Sequence, residues 1–258
     1  MACRKTFTLT FVVVVLIIVP LVHGTKFKDV FMKKCLEFKE TRDRCESVWG
    51  TFERAYVGKD KCTVTPENYI PLMDEVPSTH ACGKTMLWSK TNEVVHKFAG
   101  NGECFITMRH TLLGYVLNDL SWCGKKNSLE TFTEHCWDCE PNPVSSFWTL
   151  ASTRFAQHAC DVVTVMLDGM LPEPYDPESF LGRYEIPNLN SPKVKKVAVI
   201  LAIDRNENQC NKASLKNLKN FLKGKKIDYA CEEALKTDLA KCKNGNRPGG
   251  HKCQCVIV

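Results

Sequence analysis

Glu185, Trp88, Trp148 and Ser152 are the residues whose types and placing could do chemistry together. Glu185 is a lone carboxylate in the segment SFLGRYE, residues 179–185, beside Gly182. Trp148 and Ser152 stand four apart in NPVSSFWTLASTRFAQHAC, residues 142–160, so on a helix they share one face. One carboxylate with two flat aromatic groups suits the cleavage of a glycosidic bond whose leaving group departs without a proton. Nicotinamide leaves a pyridinium nucleotide in this way, as a neutral base. Such a site needs an aromatic wall to hold the ring and an anion beside the developing oxocarbenium ion. Against this stands the plainer role of a tryptophan, which is to fill core. The usual catalytic templates are missing: the chain carries no GxSxG, HExxH, P-loop or GxGxxG. Cys136-Trp-Asp-Cys139 has no second CxxC and no histidine pair at ligand spacing, so no metal site is expected.

Several elements must position these groups. Asn142 can cap, and Pro143 suits the first turn of, a helix running to Cys160. Val144, Phe147, Ala151, Phe155 and Ala159 recur at helical spacing and predict one buried stripe. VVTVML at 162–167 reads as a buried strand. KTMLWS, following Cys82, is a strand candidate ending at Trp88-Ser89-Lys90, with a helix near Asn92–Phe98 after it. Further on, a strand is expected at Val194–Ala202, a helix at Leu215–Leu222, a short strand at Ile227–Cys231 and a helix at Cys231–Ala240. Strands separated by helices predict a small parallel sheet. The front is helical instead: two short helices before Tyr56, one opened by Thr65-Pro66-Glu67 through Met73, and an apolar stretch from Thr107 to Gly124 that is helical in its middle.

Composition sets the compartment. The chain has 258 residues, is 44% hydrophobic and carries a formal net charge of +6. The charge is spread along the chain, without the aromatic-interleaved basic patch of a nucleic-acid binder, so no nucleic-acid partner is expected. Arg4 and Lys5 precede an apolar run from Leu9 to Val22, closed by His23-Gly24. That run is short for a bilayer span and reads as a secretory signal peptide over 1–24, with an uncleaved signal anchor as the second reading. Either way the remainder is placed on the extracellular side, secreted or at the cell surface. Of 15 cysteines, Cys3 falls within the signal, leaving an even set. In an oxidising compartment that predicts disulfides.

The wording of longer segments goes further. WSK at 88–90, TLLGYVLNDLSWCG at 111–124, NPVSSFWTLASTRFAQHACDVVTVMLDG at 142–169 and SFLGRYEIPNL at 179–189 resemble the ADP-ribosyl cyclase / NAD glycohydrolase family, with the nearest likeness to its vertebrate lymphocyte ectoenzyme branch. The resemblance implies an α/β (α+β two-lobed), disulfide-stapled fold: a helical lobe from 25–81 plus 108–159, a parallel-sheet lobe from 82–107 plus 160–258, and an active site in the cleft between them. It implies an extracellular glycohydrolase that cleaves the nicotinamide–ribose bond of NAD or NADP, releasing ADP-ribose and some cyclic ADP-ribose. NAD is then substrate, and no cofactor or metal is needed. Glu185 is implied as the catalytic carboxylate, Trp88 and Trp148 as aromatic walls, and Ser152 as the serine beside the reacting ribose. Ser89, Lys90, Phe180 and Leu181 fall where the family holds the diphosphate and closes the pocket, with Lys90 where an arginine is common. Asn118 takes a polar position near the nicotinamide amide. The implied disulfides are Cys35–Cys45, Cys62–Cys139, Cys82–Cys160, Cys123–Cys136, Cys210–Cys231 and Cys242–Cys253. Cys104 and Cys255 are left to pair with each other, or Cys255 takes the partner of Cys242. A homodimer is left open.

One departure bears on substrate use. Where the family commonly reads TLEDT, this chain has Thr107-Met108-Arg109-His110-Thr111. Arg109 removes an acidic contact to the nicotinamide amide and sets a cation near a cationic ring, so weaker NAD binding is expected. The rival to the enzyme is a catalytically weak surface receptor or adhesion module on the same fold.

Overall fold

The computed structural model describes residues 27–102, 104–131, 136–205 and 208–241. The signal segment, the Cys242–Cys253 pair and Cys255 lie outside the described residues. The chain divides into two compact units, one of 1–77 with 115–150 and the other of 78–114 with 151–258. The second unit therefore takes residues 78–81, 108–114 and 151–159, which the resemblance grouped with the helices. Packing explains this. Phe155, Ala156 and Ala159 are buried in the cluster that covers the sheet, and Thr85 bridges to Ile106 as a short parallel extension.

In the first unit, helix α1 (27–37) and helix α2 (Arg42–Tyr56) begin its helical run. The Thr41 side chain caps α2 by accepting the Arg44 N–H at 3.3 Å. Helix α3 (Ile70–Glu75) follows a 3₁₀ turn opened by Pro66. The core is aromatic. Phe52 stacks on Phe31 with centroids 5.5 Å apart and meets the Trp122 edge at 5.2 Å. The polar tips are paired: Trp122 Nε1 donates to Tyr69 Oη at 2.9 Å, and Tyr56 Oη donates to the Thr131 carbonyl at 2.7 Å. Disulfides Cys35–Cys45, Cys62–Cys139 and Cys123–Cys136 tie this unit.

The second unit is built on four strands: β1 (Met86–Ser89), β2 (Asp161–Asp168), β3 (Val194–Ile203) and β4 (Asp228–Leu235). They pair in chain order and are all parallel. A parallel sheet must be covered on both faces, and alternate side chains sort accordingly. Val163, Val165 and Leu167 of β2 with Val197, Val199 and Leu201 of β3 face one cluster, which also holds Phe155 and Leu215, Leu218 and Leu222. The last three belong to helix α7 (Ala213–Gly224). Met86, Met166 and Ile200 face the other cluster, with Val95 and Phe98 of helix α4 (Asn92–Ala99) and Leu239 of helix α8 (Lys236–Lys241). Disulfides Cys82–Cys160 and Cys210–Cys231 tie the unit, and Cys104 is disulfide-bonded too.

One expectation is met and one changes. The stretch 107–124 holds only helix α5 (Leu112–Leu117), after a 3₁₀ turn at Met108–His110. The helix expected from Cys231 begins instead at Lys236, because β4 continues to Leu235. ACEEAL is made of good helix formers, but its pairing with β3, from Cys231 opposite Val199 to Leu235 opposite Ile203, overrides propensity.

Candidate active site

Glu185 ends a π-helical turn, Leu181–Glu185, that is widened by one residue: the Ile186 N–H reaches back to the Leu181 carbonyl. Pro187 accounts for part of this, since in an α-helix it would have to donate to the Arg183 carbonyl and has no N–H. The turn is fixed on its outer side as well. The Gly182 N–H donates to Ser179 Oγ at 3.1 Å, and the Ser179 hydroxyl donates to the Asp176 carbonyl at 2.6 Å. A Cβ at Gly182 would lie 2.5 Å from the Asp176 and Pro177 backbone, so only glycine lets the turn close on that loop. Leu181 is sunk in the sheet cluster and anchors it from within. π turns of this kind are frequent at functional sites.

The turn packs beside β1, whose last residues are Trp88 and Ser89. These lie at the carboxyl end of a parallel strand, the end at which open α/β sheets bind ligands. Trp88 is half-buried, with its ring edge-on to His96 at 5.5 Å. Lys90 follows, exposed, with φ of 57°, a left-handed conformation that is uncommon for a residue with a Cβ.

Helix α6 (Pro143–His158) brings Ser152 to the carboxylate. The Ser152 hydroxyl is close enough to the Glu185 side chain to favour its anion as a hydrogen-bonding group. Both are buried, Ser152 at 4% and Glu185 at 9% exposure. Among the described residues no cation is paired with Glu185, and burial pushes its carboxyl from the ordinary 4.5 up to about 8, which the Ser152 hydroxyl offsets only in part. A second polar link joins the same two elements: Gln157 Nε2 donates to Asn188 Oδ1 at 3.3 Å, and Asn188 Nδ2 donates to the Tyr184 carbonyl at 2.9 Å.

Glu185, Ser152, Trp88, Ser89, Lys90, Leu181, Phe180 and Arg109 all belong to the sheet unit, whereas Trp148 and Asn118 belong to the helical one. Phe180 is 47% exposed and leans on the Tyr184 ring at 5.1 Å. Trp148 is half-buried, one turn before Ser152 along α6, with Phe147 against it at 4.9 Å. Asn118 directs its amide to Asp119, and its carbonyl accepts Lys34 Nζ at 2.7 Å. Arg109 is exposed on the 3₁₀ turn Met108–His110. Beside it, His110 Nδ1 accepts the Thr107 N–H at 3.0 Å, leaving Nε2 to donate to the Gly100 carbonyl at 3.1 Å. The imidazole thus takes the place of the acid in a capping box. The sequence reading did not single out Gln157 or Asn188. The one local signal was Asn188 just past Glu185 and Pro187, where an asparagine side chain can hydrogen-bond a nearby backbone carbonyl in place of a regular helical bond.

Comparison with known proteins settles the lineage. The ADP-ribosyl cyclase family model matches residues 24–251. The chain belongs to that family. It is 34% identical over 220 residues to ADP-ribosyl cyclase/cyclic ADP-ribose hydrolase 1 of Rattus norvegicus, covering 80% of this chain and 73% of the relative. It is 33% identical to ADP-ribosyl cyclase/cyclic ADP-ribose hydrolase of Aplysia kurodai, over 89% of this chain and 86% of that one. Among solved structures, porcine CD38 with a covalent intermediate, ribo-F-ribose-5'-phosphate, superposes with a TM-score of 0.75 at 34% identity, covering 81% of this chain and 96% of the other. These relatives favour an enzyme over the receptor reading. The five disulfides between described residues, with Cys104 bonded as well, fit an extracellular or surface protein. Among the described residues no helix is long and apolar enough to cross a membrane.

Proposed function

We propose that this protein is an extracellular NAD glycohydrolase with a minor ADP-ribosyl cyclase activity, and that Glu185 is its catalytic carboxylate. One observation carries the assignment: a buried carboxyl with no cationic partner among the described residues, beside a serine hydroxyl that favours its anion, in a family of NAD-cleaving enzymes. An unpaired buried carboxylate is costly to a fold, and such costs concentrate at sites of chemistry.

The chemistry follows from charge. The nicotinamide ring of NAD, joined to ribose through its nitrogen, is a pyridinium cation, so substrate supplies the cation that the protein withholds. Binding pulls the Glu185 carboxyl back towards the anion. As the glycosidic bond breaks, nicotinamide leaves as a neutral base and the charge passes to the ribosyl oxocarbenium ion, which the carboxylate stabilises. Water then gives ADP-ribose, while attack by N1 of the same molecule's adenine gives cyclic ADP-ribose. The scheme calls for no metal or organic cofactor. Trp88 and Trp148 act as walls for the flat rings, Ser89 and Lys90 meet the diphosphate, and the exposed Phe180 closes over the ribose, while Leu181, sunk in the sheet cluster, anchors the turn beneath it. Asn118 serves the nicotinamide amide. Arg109 adds like charge and weakens NAD binding.

The test is secreted protein incubated with NAD and with NADP, with nicotinamide, ADP-ribose and cyclic ADP-ribose all quantified. Glu185→Gln is expected to lower turnover on the order of a hundredfold to a thousandfold, the usual cost of removing one electrostatic stabiliser. Release of nicotinamide at the parent rate by that variant would defeat the assignment.

A further inference from the structure

We propose that Asn188 and Gln157 are positioning residues for the Glu185 carboxyl, holding the widened turn against α6 through a bridge of side-chain amides. The proposal rests on the reading of Glu185 given above.

The bridge is determined by donor and acceptor type. The Tyr184 carbonyl can only accept, so the Asn188 NH₂ group must face it. Asn188 Oδ1 is then the atom left to accept from the Gln157 NH₂ group, 3.3 Å away. Tyr184 immediately precedes Glu185, so the carbonyl that Asn188 holds belongs to the peptide group entering the catalytic residue. In a regular helix that carbonyl would take the backbone N–H of residue 188. Here the donor comes from the side chain of the same residue, and the backbone is free to follow the π turn and the 3₁₀ turn Ile186–Asn188 after it. Two links therefore run from α6 to this segment, the Ser152 hydroxyl beside Glu185 and Gln157 to Asn188. Ser179, Gly182 and Leu181 fix the start of the turn, and the amide bridge fixes its far end, next to the carboxyl. Gln157 and Asn188 are each only half-buried, so an apolar replacement leaves no large cavity.

Asn188→Leu is the first variant, with Gln157→Leu as the second, since it cuts the bridge while leaving the bond to Tyr184. Nicotinamide release is measured against pH, alongside circular dichroism and a melting curve. We expect kcat to fall about tenfold to a hundredfold, the usual cost of a misplaced catalytic group, with KM changing less than about threefold. The acid limb of kcat/KM, which reports ionisation in the free enzyme, is expected to move up in pH, as it does when Ser152→Ala removes the hydrogen bond that favours the anion. In the double variant Ser152→Ala, Asn188→Leu, the limb is expected to move no further than in Ser152→Ala alone. If both single variants fold and keep the acid limb at the parent's pH, the bridge is scaffolding only and the proposal fails. If Glu185→Gln is inactive while that limb stays put, the proposal alone falls. If Glu185→Gln turns over at the parent rate, the reading beneath it falls as well.

Discussion

The two units differ in the kind of titratable group they bury. In the helical unit the buried groups are the phenols of Tyr56 and Tyr69, each with its hydroxyl in a hydrogen bond. Burial raises both above their ordinary range, so they are neutral at every physiological pH and cost the fold nothing by ionising. The sheet unit buries a phenol as well, Tyr175, likewise raised by burial, but it also buries a carboxylic acid, and burial brings that group's ionisation to about 8, close to physiological pH. The core that only has to hold together buries groups that stay neutral. The core that holds the proposed catalytic carboxylate also buries a group whose charge can be changed by what binds beside it.

The comparison can be broken first in the helical unit. Phe52 is fully buried and in ring contact with Phe31, Trp49, Tyr56, Tyr69 and Trp122. Phe52→Ala should cost about 3–5 kcal/mol, the usual price of deleting a core phenyl. Denaturant unfolding would read it, with the pH dependence of turnover unchanged in the protein that remains folded. A loss below about 1 kcal/mol would mean that the aromatic cluster is not the core of that unit.

The next effect sharpens the contrast. Glu185 binds its proton more tightly in the fold, at about 8, than in the unfolded chain, near 4.5. Between those values the native state holds more protons than the unfolded one, so stability falls as pH rises through that window. Glu185→Gln removes the ionisable group. It should therefore stabilise the protein by about 3 kcal/mol at pH 7 while abolishing most turnover. The gain should shrink as pH falls and be gone near pH 4.5. Melting curves of parent and variant across pH 4–8 would show it, and a constant difference would contradict the raised ionisation.

The smallest effect lies just outside the site. Arg183 pairs with Glu178 at 2.5 Å, but both side chains are more than half exposed. Arg183→Ala should change stability by less than about 1 kcal/mol, and the change should fade at high salt. A larger loss would mean that the π turn depends on its surface face and not on Leu181, Gly182 and the amide bridge.

Much of the fold was legible in the sequence because its signals are local. Val144, Phe147, Ala151 and Phe155 mark α6 by their spacing, and all are buried. VVTVML lies within β2. β4 was misjudged because Ala230, Glu232 and Glu233 have no intrinsic liking for a strand, and only β3 alongside makes them one. At the site, the residue types and the family wording pointed to Glu185 and Ser152. Their hydrogen bond depends on a turn widened by one residue, and periodicity does not reveal such an insertion. Gln157 and Asn188 are ordinary polar residues until the fold sets them side by side, 31 positions apart in the chain.

The widened turn also means that this site is specified by chain length as well as by residue type. A π turn is an α-helix with one residue inserted. A single in-frame codon deletion between Leu181 and Tyr184 would remove that insertion without touching Glu185, Ser152 or either tryptophan. The turn would return to ordinary helical register, in which each residue advances about 100° around the axis, and the glutamate would swing away from its serine. Among natural or laboratory variants of this gene, a one-residue length change in that stretch is therefore a more telling mark of lost activity than many substitutions nearby.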